Sequence, residues 1–394
     1  MSHSFQVTKT HGAARTGVIT TAHGTIQTPA FLFCATKAAL KGMTMDMARA
    51  LGMPAILCNT YHLMIQPGAA RIAHLGGLHA VADWQGPILT DSGGYQIFSM
   101  GHGSVGDEIK GRAIRRESFI VSIADSGVIF RSYQGGEKLL LTPERAMALQ
   151  RYLGADLVVQ LDECTPFHAG YEATAKAMRR SVRWLDRSLA TMAAWQGKSA
   201  QGHPQGIYGV IQGGVWDDLR AQSAQAVAAR HDDLFGIAIG GSLGSTPQQM
   251  REAVDMALVP LPAQAKTRPI HLLGVGEMGA ILHGVSRGID TFDCVHPLRI
   301  ARHGTALRQG QPALNLGRAI HADDRAPLDE ACACPTCQAY TRGYIHHLFK
   351  AREMLAGTLV SVHNAATMMG FMADLRTAID QGVSLESVAK AWIA

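Results

Sequence analysis

Three aspartates stand where apolar stretches of this chain end: Asp91 in ILTDSGGYQIFS, Asp162 in LVVQLDECTPF and Asp293 in GIDTFDCVHPLR. A single aspartate at a strand end often caps the next helix. Three carboxylates at one mouth permit a division of labour, in which one stays ionised as a nucleophile, one holds or shuttles a proton, and one reads a ligand. A second cluster offers different chemistry. Cys332, Cys334 and Cys337 form C-x-C-x2-C, and His363 follows 26 residues after Cys337. Three thiolates and one imidazole make a closed tetrahedral set that suits a structural zinc, one per subunit, and leaves no position for a substrate. On sequence alone His346 and His347 compete with His363 as the fourth ligand. Signatures of other chemistries are missing: no GxGxxG follows the first strand, no Walker A motif occurs, and no histidine metal pair marks an early strand.

The elements that must position these groups are legible as a repeat. Seven times a short apolar run stops at a polar or glycine motif: AILCNTYH, PILTDSGG, LVVQLDEC, YGVIQGG, GIAIGG, HLLGVG and TFDCV. A strand buried on both faces reads as a continuous apolar run, and chemistry at its carboxyl end is the pattern of a parallel barrel. Helical segments alternate with the runs, as in LTPERAMALQRYLG, where Thr142 can cap and Pro143 suits the first helical position. The expected fold is therefore α/β, a (β/α)8 TIM barrel with an appended C-terminal zinc-binding subdomain. Residues 1–308 would hold the barrel with an antiparallel lead-in, a hairpin turning at His23-Gly24, and residues 309–394 the zinc subdomain and C-terminal helices. The polar segment 101–119, with Lys110, Arg112, Arg115 and Arg116, reads as a loop or insertion above the barrel mouth.

Bulk properties narrow the function. The chain has 394 residues, 47% of them hydrophobic, enough for a barrel of about 250 residues plus a module. Its start lacks an apolar core of a signal peptide, and no run approaches the ~18 apolar residues of a membrane span, so a cytoplasmic protein is expected. The net charge of +5 is mild. Between Arg299 and Arg352, however, eight basic side chains face four acidic ones, as expected where phosphates are held. Seven cysteines do not form a secreted disulfide framework.

Taken in order, TPAFLFCATKAALKG, CNTYHLMIQPG, LTDSGGYQIFS, DECTPF, GVIQGGV, IGG, LGVG, FDCVHPLRIARHG and the pattern of three cysteines with a distant histidine resemble the tRNA-guanine transglycosylases over nearly the whole chain. The resemblance implies exchange of the wobble guanine in GUN-anticodon tRNAs (Asp, Asn, His, Tyr) for a 7-deazaguanine, queuine or preQ1, during queuosine formation. It implies Asp293 as the nucleophile that forms a covalent RNA intermediate and Asp91 as the general acid/base. In the base pocket it implies Asp162, which can accept from both N1–H and the exocyclic amine of guanine. Gln212 and the backbone N–H of Gly241 would serve the O6 side, Gly240 would also belong to the base site, Ser92 and Asn59 would add polar contacts, Gln96 would lie near the nucleophile, and Tyr95 would stack. Arg299 and Arg302 would contact phosphates. The tRNA anticodon loop is the implied partner, with guanine, queuine or preQ1 as small ligands, and a homodimer through the zinc-side helices, where Tyr340, Tyr344 and His347 could meet a second copy.

The chain departs from the family pattern in places. GGSLGS stands where GGLAVG is usual, placing Gly244 at the valine position that is smaller in queuine-accepting members. Cys34-Ala35-Thr36 replaces VGT, and Pro297-Leu298-Arg299 replaces PTR. A different class of reading, a noncatalytic tRNA-binding subunit, predicts lost catalytic residues, yet Asp91, Asp162, Gln212 and Asp293 all remain.

Overall fold

The apolar runs form strands because each alternates its side chains between two apolar surroundings, so no polar stripe is needed. The computed structural model describes residues 3–102 and 119–394. A lead-in sheet of β1 (Ser4–His11), β2 (Ala14–Thr21) and β3 (Gly24–Thr28) comes first, all antiparallel. Three barrel strands follow: β4 (Ala30–Cys34), β5 (Ile56–Asn59) and β6 (Ile88–Asp91). A separate antiparallel sheet, β7 (Ile120–Ala124), β8 (Gly127–Arg131) and β9 (Lys138–Leu141), then interrupts the alternation. Five further strands complete the barrel: β10 (Leu157–Val159), β11 (Gly206–Ile211), β12 (Gly236–Ile239), β13 (Ile270–Leu272) and β14 (Thr291–Cys294).

The barrel closes in the order β10-β11-β12-β13-β14-β4-β5-β6, with every neighbouring pair parallel. Leu32, Leu57, Leu89, Leu157, Tyr208 and Val210 fill its interior, while Phe31, Phe33, Ile56, Ile88, Val158 and Ile211 point out under the helices. The expected seven strands are present, and AFLFC supplies the eighth. Helix Pro143–Leu153 starts as its sequence suggests: Thr142 Oγ1 accepts from Arg145 N at 3.1 Å, and Gly154 ends it at φ +75°.

Three details differ from the expectation. The lead-in has three strands, and its second turn sits at Ala22-His23, since Thr21 pairs with Gly24. The β7–β9 sheet is an addition to the expected elements: β8 opens on Gly127 and Gly135-Gly136 stands between β8 and β9, so glycine signals alone do not separate these strands from barrel runs. The C-terminal helical stretch is two helices, Arg342–Lys350 and Met354–Gln381, parted where Arg352 turns to φ +60°. The longer helix packs on helix His296–Arg302 and on β1, β2 and β4. Of the basic segment 101–119, residues 103–118 lie outside the described residues. Among the described residues no helix is long and apolar enough to cross a membrane.

Candidate functional site

The carboxyl ends of β6, β10 and β14 bring the three aspartates to one end of the barrel, as their place after apolar runs required. Asp293, in β14, is 7% exposed. Its Oδ1 accepts from Gly274 N at 3.0 Å and lies 3.1 Å from His271 Nε2, and Cys34 Sγ donates to Oδ2 at 3.5 Å. Asp91 closes β6, where Oδ1 accepts from Thr60 N at 3.0 Å and Gly93 N at 3.2 Å, and Oδ2 accepts from Asn59 Nδ2. Burial pushes the Asp91 carboxyl up to about 7, with the Asp293 charge adding to the rise and those hydrogen bonds opposing it. A carboxyl near neutrality can both give and take a proton.

Asp162 sits three residues past β10, with Gln212 Nε2 donating to Oδ2 and Ser92 Oγ to Oδ1 at 3.4 Å. Burial raises it to about 6 against those two bonds. Gln212 lies against the turn Gly240-Gly241; a Cβ on Gly241 would come 2.3 Å from Gln212 Oε1, and its φ of +81° also calls for glycine. Asn59 caps helix Thr60–Ile65 by accepting from His62 N at 3.0 Å, so one side chain serves both the helix and Asp91. Tyr95 is 50% exposed on helix Gly94–His102, and Gln96 Oε1 is buried with no hydrogen-bond partner among the described residues. Arg299 and Arg302 are exposed on the helix that follows β14.

Three residues that shape this mouth escape a reading of the sequence. His271, 1% exposed, spans from Thr291 Oγ1 at 2.8 Å to Asp293; its place on the inward register of β13 is the available signal. Fully buried Arg220 joins two loops, donating to Gly214 O, Ile211 O, Gly240 O and Ser242 O at 2.7–3.1 Å. It therefore fixes the loops on either side of Gln212. Burial lowers its pKa to about 10, and nothing in the sequence distinguishes it from a surface arginine. Glu163, beside Asp162, is tied to Arg180.

The second cluster also assembles. Single ligand atoms of Cys332, Cys334, Cys337 and His363 all lie within 4.8 Å of one another. His363 Nδ1 is 3.3 Å from Cys337 Sγ and 3.7 Å from Cys334 Sγ, while Nε2 donates to Leu307 O at 2.6 Å. That carbonyl holds the proton on Nε2 and leaves the Nδ1 lone pair facing the thiolates. His346 instead binds Leu316 O at 2.7 Å, and His347 is exposed, so the fourth place belongs to His363. These four residues can hold a metal ion.

The model of the queuine tRNA-ribosyltransferase family matches residues 10–394. The chain belongs to this family. A queuine tRNA-ribosyltransferase of Roseiflexus sp. strain RS-1 is 45% identical over 381 residues, covering 94% of each chain. Another, from Cereibacter sphaeroides, is 43% identical over 388 residues, covering 98% of this chain and 95% of its own. A third, from Zymomonas mobilis, is 40% identical over 380 residues, covering 96% and 92%. This queuine tRNA-ribosyltransferase family member is thus an enzyme, a pentosyltransferase of the tRNA-guanine transglycosylase type.

Proposed function

We propose that the chain exchanges the wobble guanine of GUN-anticodon tRNAs for a 7-deazaguanine by double displacement at Asp293. The Asp293 carboxylate attacks the ribose anomeric carbon, the bond to guanine N9 breaks, and Asp91 gives the departing base its proton. The incoming base then returns a proton to Asp91 and displaces Asp293, so configuration at the sugar is retained. The observation that carries this reading is the contrast between two buried carboxylates at one mouth: Asp91 is raised to about 7, while Asp293 is met by the Gly274 N–H, the Cys34 thiol and the His271 ring. Asp162, Gln212 and Ser92 supply acceptor and donor groups for the base, the Gly240-Gly241 turn and Asn59 frame them, and Tyr95 offers an exposed face for stacking. Gln96 Oε1, buried with no hydrogen-bond partner among the described residues, supports a role for that side chain in accepting from substrate. Exposed Arg299 and Arg302 suit phosphates of the anticodon loop.

The incoming base we infer is queuine. Gly244 has φ +95°, and a Cβ there would meet Gln249 Cβ at 2.4 Å, so this position is built around glycine and carries no side chain where valine is usual. The set of three cysteines and His363 would hold one structural zinc per subunit. Tyr340 and exposed Tyr344, stacked with ring centroids 5.6 Å apart, mark the surface on which a homodimer would form. The proposed setting is the cytoplasm.

The test is release of labelled guanine from position 34 by the purified chain alone, offered preQ1 or queuine. Release in wild type and none in Asp293→Ala supports the exchange reaction. A tenfold preference for preQ1 would remove the queuine assignment, and no release with either base would remove the catalytic reading.

A further inference from the structure

At the amino end of the barrel, away from the three aspartates, the fold gathers histidines that lie far apart in sequence. His23 sits in the turn between β2 and β3, His79 on helix Gly77–Ala82, and His203 in the loop ahead of β11. One ring nitrogen from each lies within 4.8 Å of those from the other two. The His23 and His79 rings are stacked with centroids 3.5 Å apart and planes inclined by 18°, and the His203 ring stands edge-on to His23 at 4.7 Å. Asp156, the residue before β10, is fully buried beneath them. By the rise of an extended chain, the six residues from Asp156 to Asp162 separate the two ends by about 20 Å.

Each ring has one nitrogen committed to an oxygen that only accepts. His23 Nδ1 meets Asp156 Oδ1 at 2.7 Å, His79 Nε2 meets Asp156 Oδ2 at 3.2 Å, and His203 Nε2 meets Gly154 O at 3.0 Å. In the neutral imidazole the committed nitrogen carries the proton, so the other carries the lone pair. This is the arrangement in which a carboxylate or carbonyl prepares histidine for a metal. His3 adds a fourth imidazole within electrostatic range of Asp156, His203 and His23, and its Nε2 is buried with no hydrogen-bond partner among the described residues.

We propose that His23, His79 and His203 form a second metal site, distinct from the cysteine centre, that takes a borderline divalent cation such as zinc or nickel. Imidazole sets suit these ions, and three protein ligands leave a further position for water or His3. Lone pairs in parallel ring planes do not meet at one point, so binding splays His23 from His79. Their side chains are 28% and 12% exposed, which gives the ion an approach and the rings room to turn. A bound ion ties the lead-in hairpin, the helix Gly77–Ala82 and the loop before β11 into one unit, and so raises the stability of the folded chain as its concentration climbs above Kd.

The test uses the full-length chain without a histidine tag, its cysteine site already filled with zinc. Nickel or zinc is titrated in and the metal counted by mass spectrometry after equilibrium dialysis. The expected result is one additional equivalent per chain in wild type, a rise in Tm with added metal, and at least a tenfold loss of affinity for that equivalent in both His23→Gln and His203→Gln. Cobalt in the second site should lack the thiolate charge-transfer bands that mark the cysteine centre. Retention of the first equivalent and an unchanged circular dichroism spectrum show that the variants are folded. No second equivalent in wild type, a second ion held equally well by both folded variants, or a second ion with thiolate bands would each overturn the proposal.

Discussion

Asp156 and Asp162 flank the same barrel strand, both are buried, and their carboxyls move in opposite directions. Burial raises each. At Asp156 hydrogen bonds from His23 and His79 and from the Ile88 N–H outweigh it and hold the carboxyl below its ordinary range. At Asp162 the partners are a neutral amide and a hydroxyl, so burial prevails and the value rises to about 6. Imidazole donors make a buried carboxylate a permanent tie between elements; an amide and a hydroxyl leave one whose charge a ligand must complete. The amino end of this barrel is therefore built to stay ionised, and the carboxyl end to change.

The sharpest way to break that contrast is at Asp293. Asp293→Ala should lower base exchange by at least about 10³-fold, since removing a nucleophile leaves only binding and electrostatic assistance, and single-turnover release of labelled guanine measures it. Asp91→Asn should cost about 10²–10⁴-fold in kcat and abolish the limb of the pH profile near 7. The same variant should be more stable than wild type at high pH. Because the folded carboxyl lies above its unfolded value, wild-type Asp91 costs nothing below about pH 4, progressively more from 4 to 7, and its full penalty above 7. A gain in Tm at pH 8 that fades by pH 4 checks the sign, and no gain at pH 8 would contradict the burial argument.

For Asp162→Asn we expect a roughly 10–100-fold rise in the KM for the incoming base with a smaller change in kcat, as one acceptor becomes a donor facing guanine's own donors. Asp156→Asn should behave in the opposite way, losing about 2–3 kcal/mol of stability in chemical denaturation while the folded fraction keeps its exchange rate. An Asp156 variant that lost activity without losing stability would erase the distinction between the two ends. The smallest effect belongs to His271→Gln: about a tenfold fall in kcat at unchanged KM, because the ring positions Asp293 without touching substrate.

Much of the site is legible because its residues stand at the ends of strands. Asp91, Asp293 and Asn59 lie in β6, β14 and β5 and Asp162 just past β10, so reading where apolar runs stop amounts to reading the mouth of the barrel. Cys332, Cys334 and Cys337 are legible for a related reason, since a short spacing confines thiols to one turn of chain. Arg220, His271 and the β7–β9 sheet are not. Arg220 has the sequence surroundings of a solvated helical arginine, and only the approach of two loops after β11 and β12 gives its guanidinium four carbonyls to meet. Gly244 reads as space for a substituent; its positive φ adds a backbone requirement that spacing does not express.

The sequence by itself determined what depends on local order: the strand and helix periods, the cap at Thr142, the aspartates at strand ends and the family pattern that spans the chain. Only the tertiary structure decided what depends on closure. Joining β14 to β4 and β6 to β10 set which side chains share an interior, gave His363 rather than His346 to the cysteines through the Leu307 carbonyl, and stacked His23 on His79 above Asp156. These pairings are separated by tens to hundreds of residues, so no short-range pattern encodes them. They are fixed because closing eight strands into a barrel imposes one stagger on all of them together.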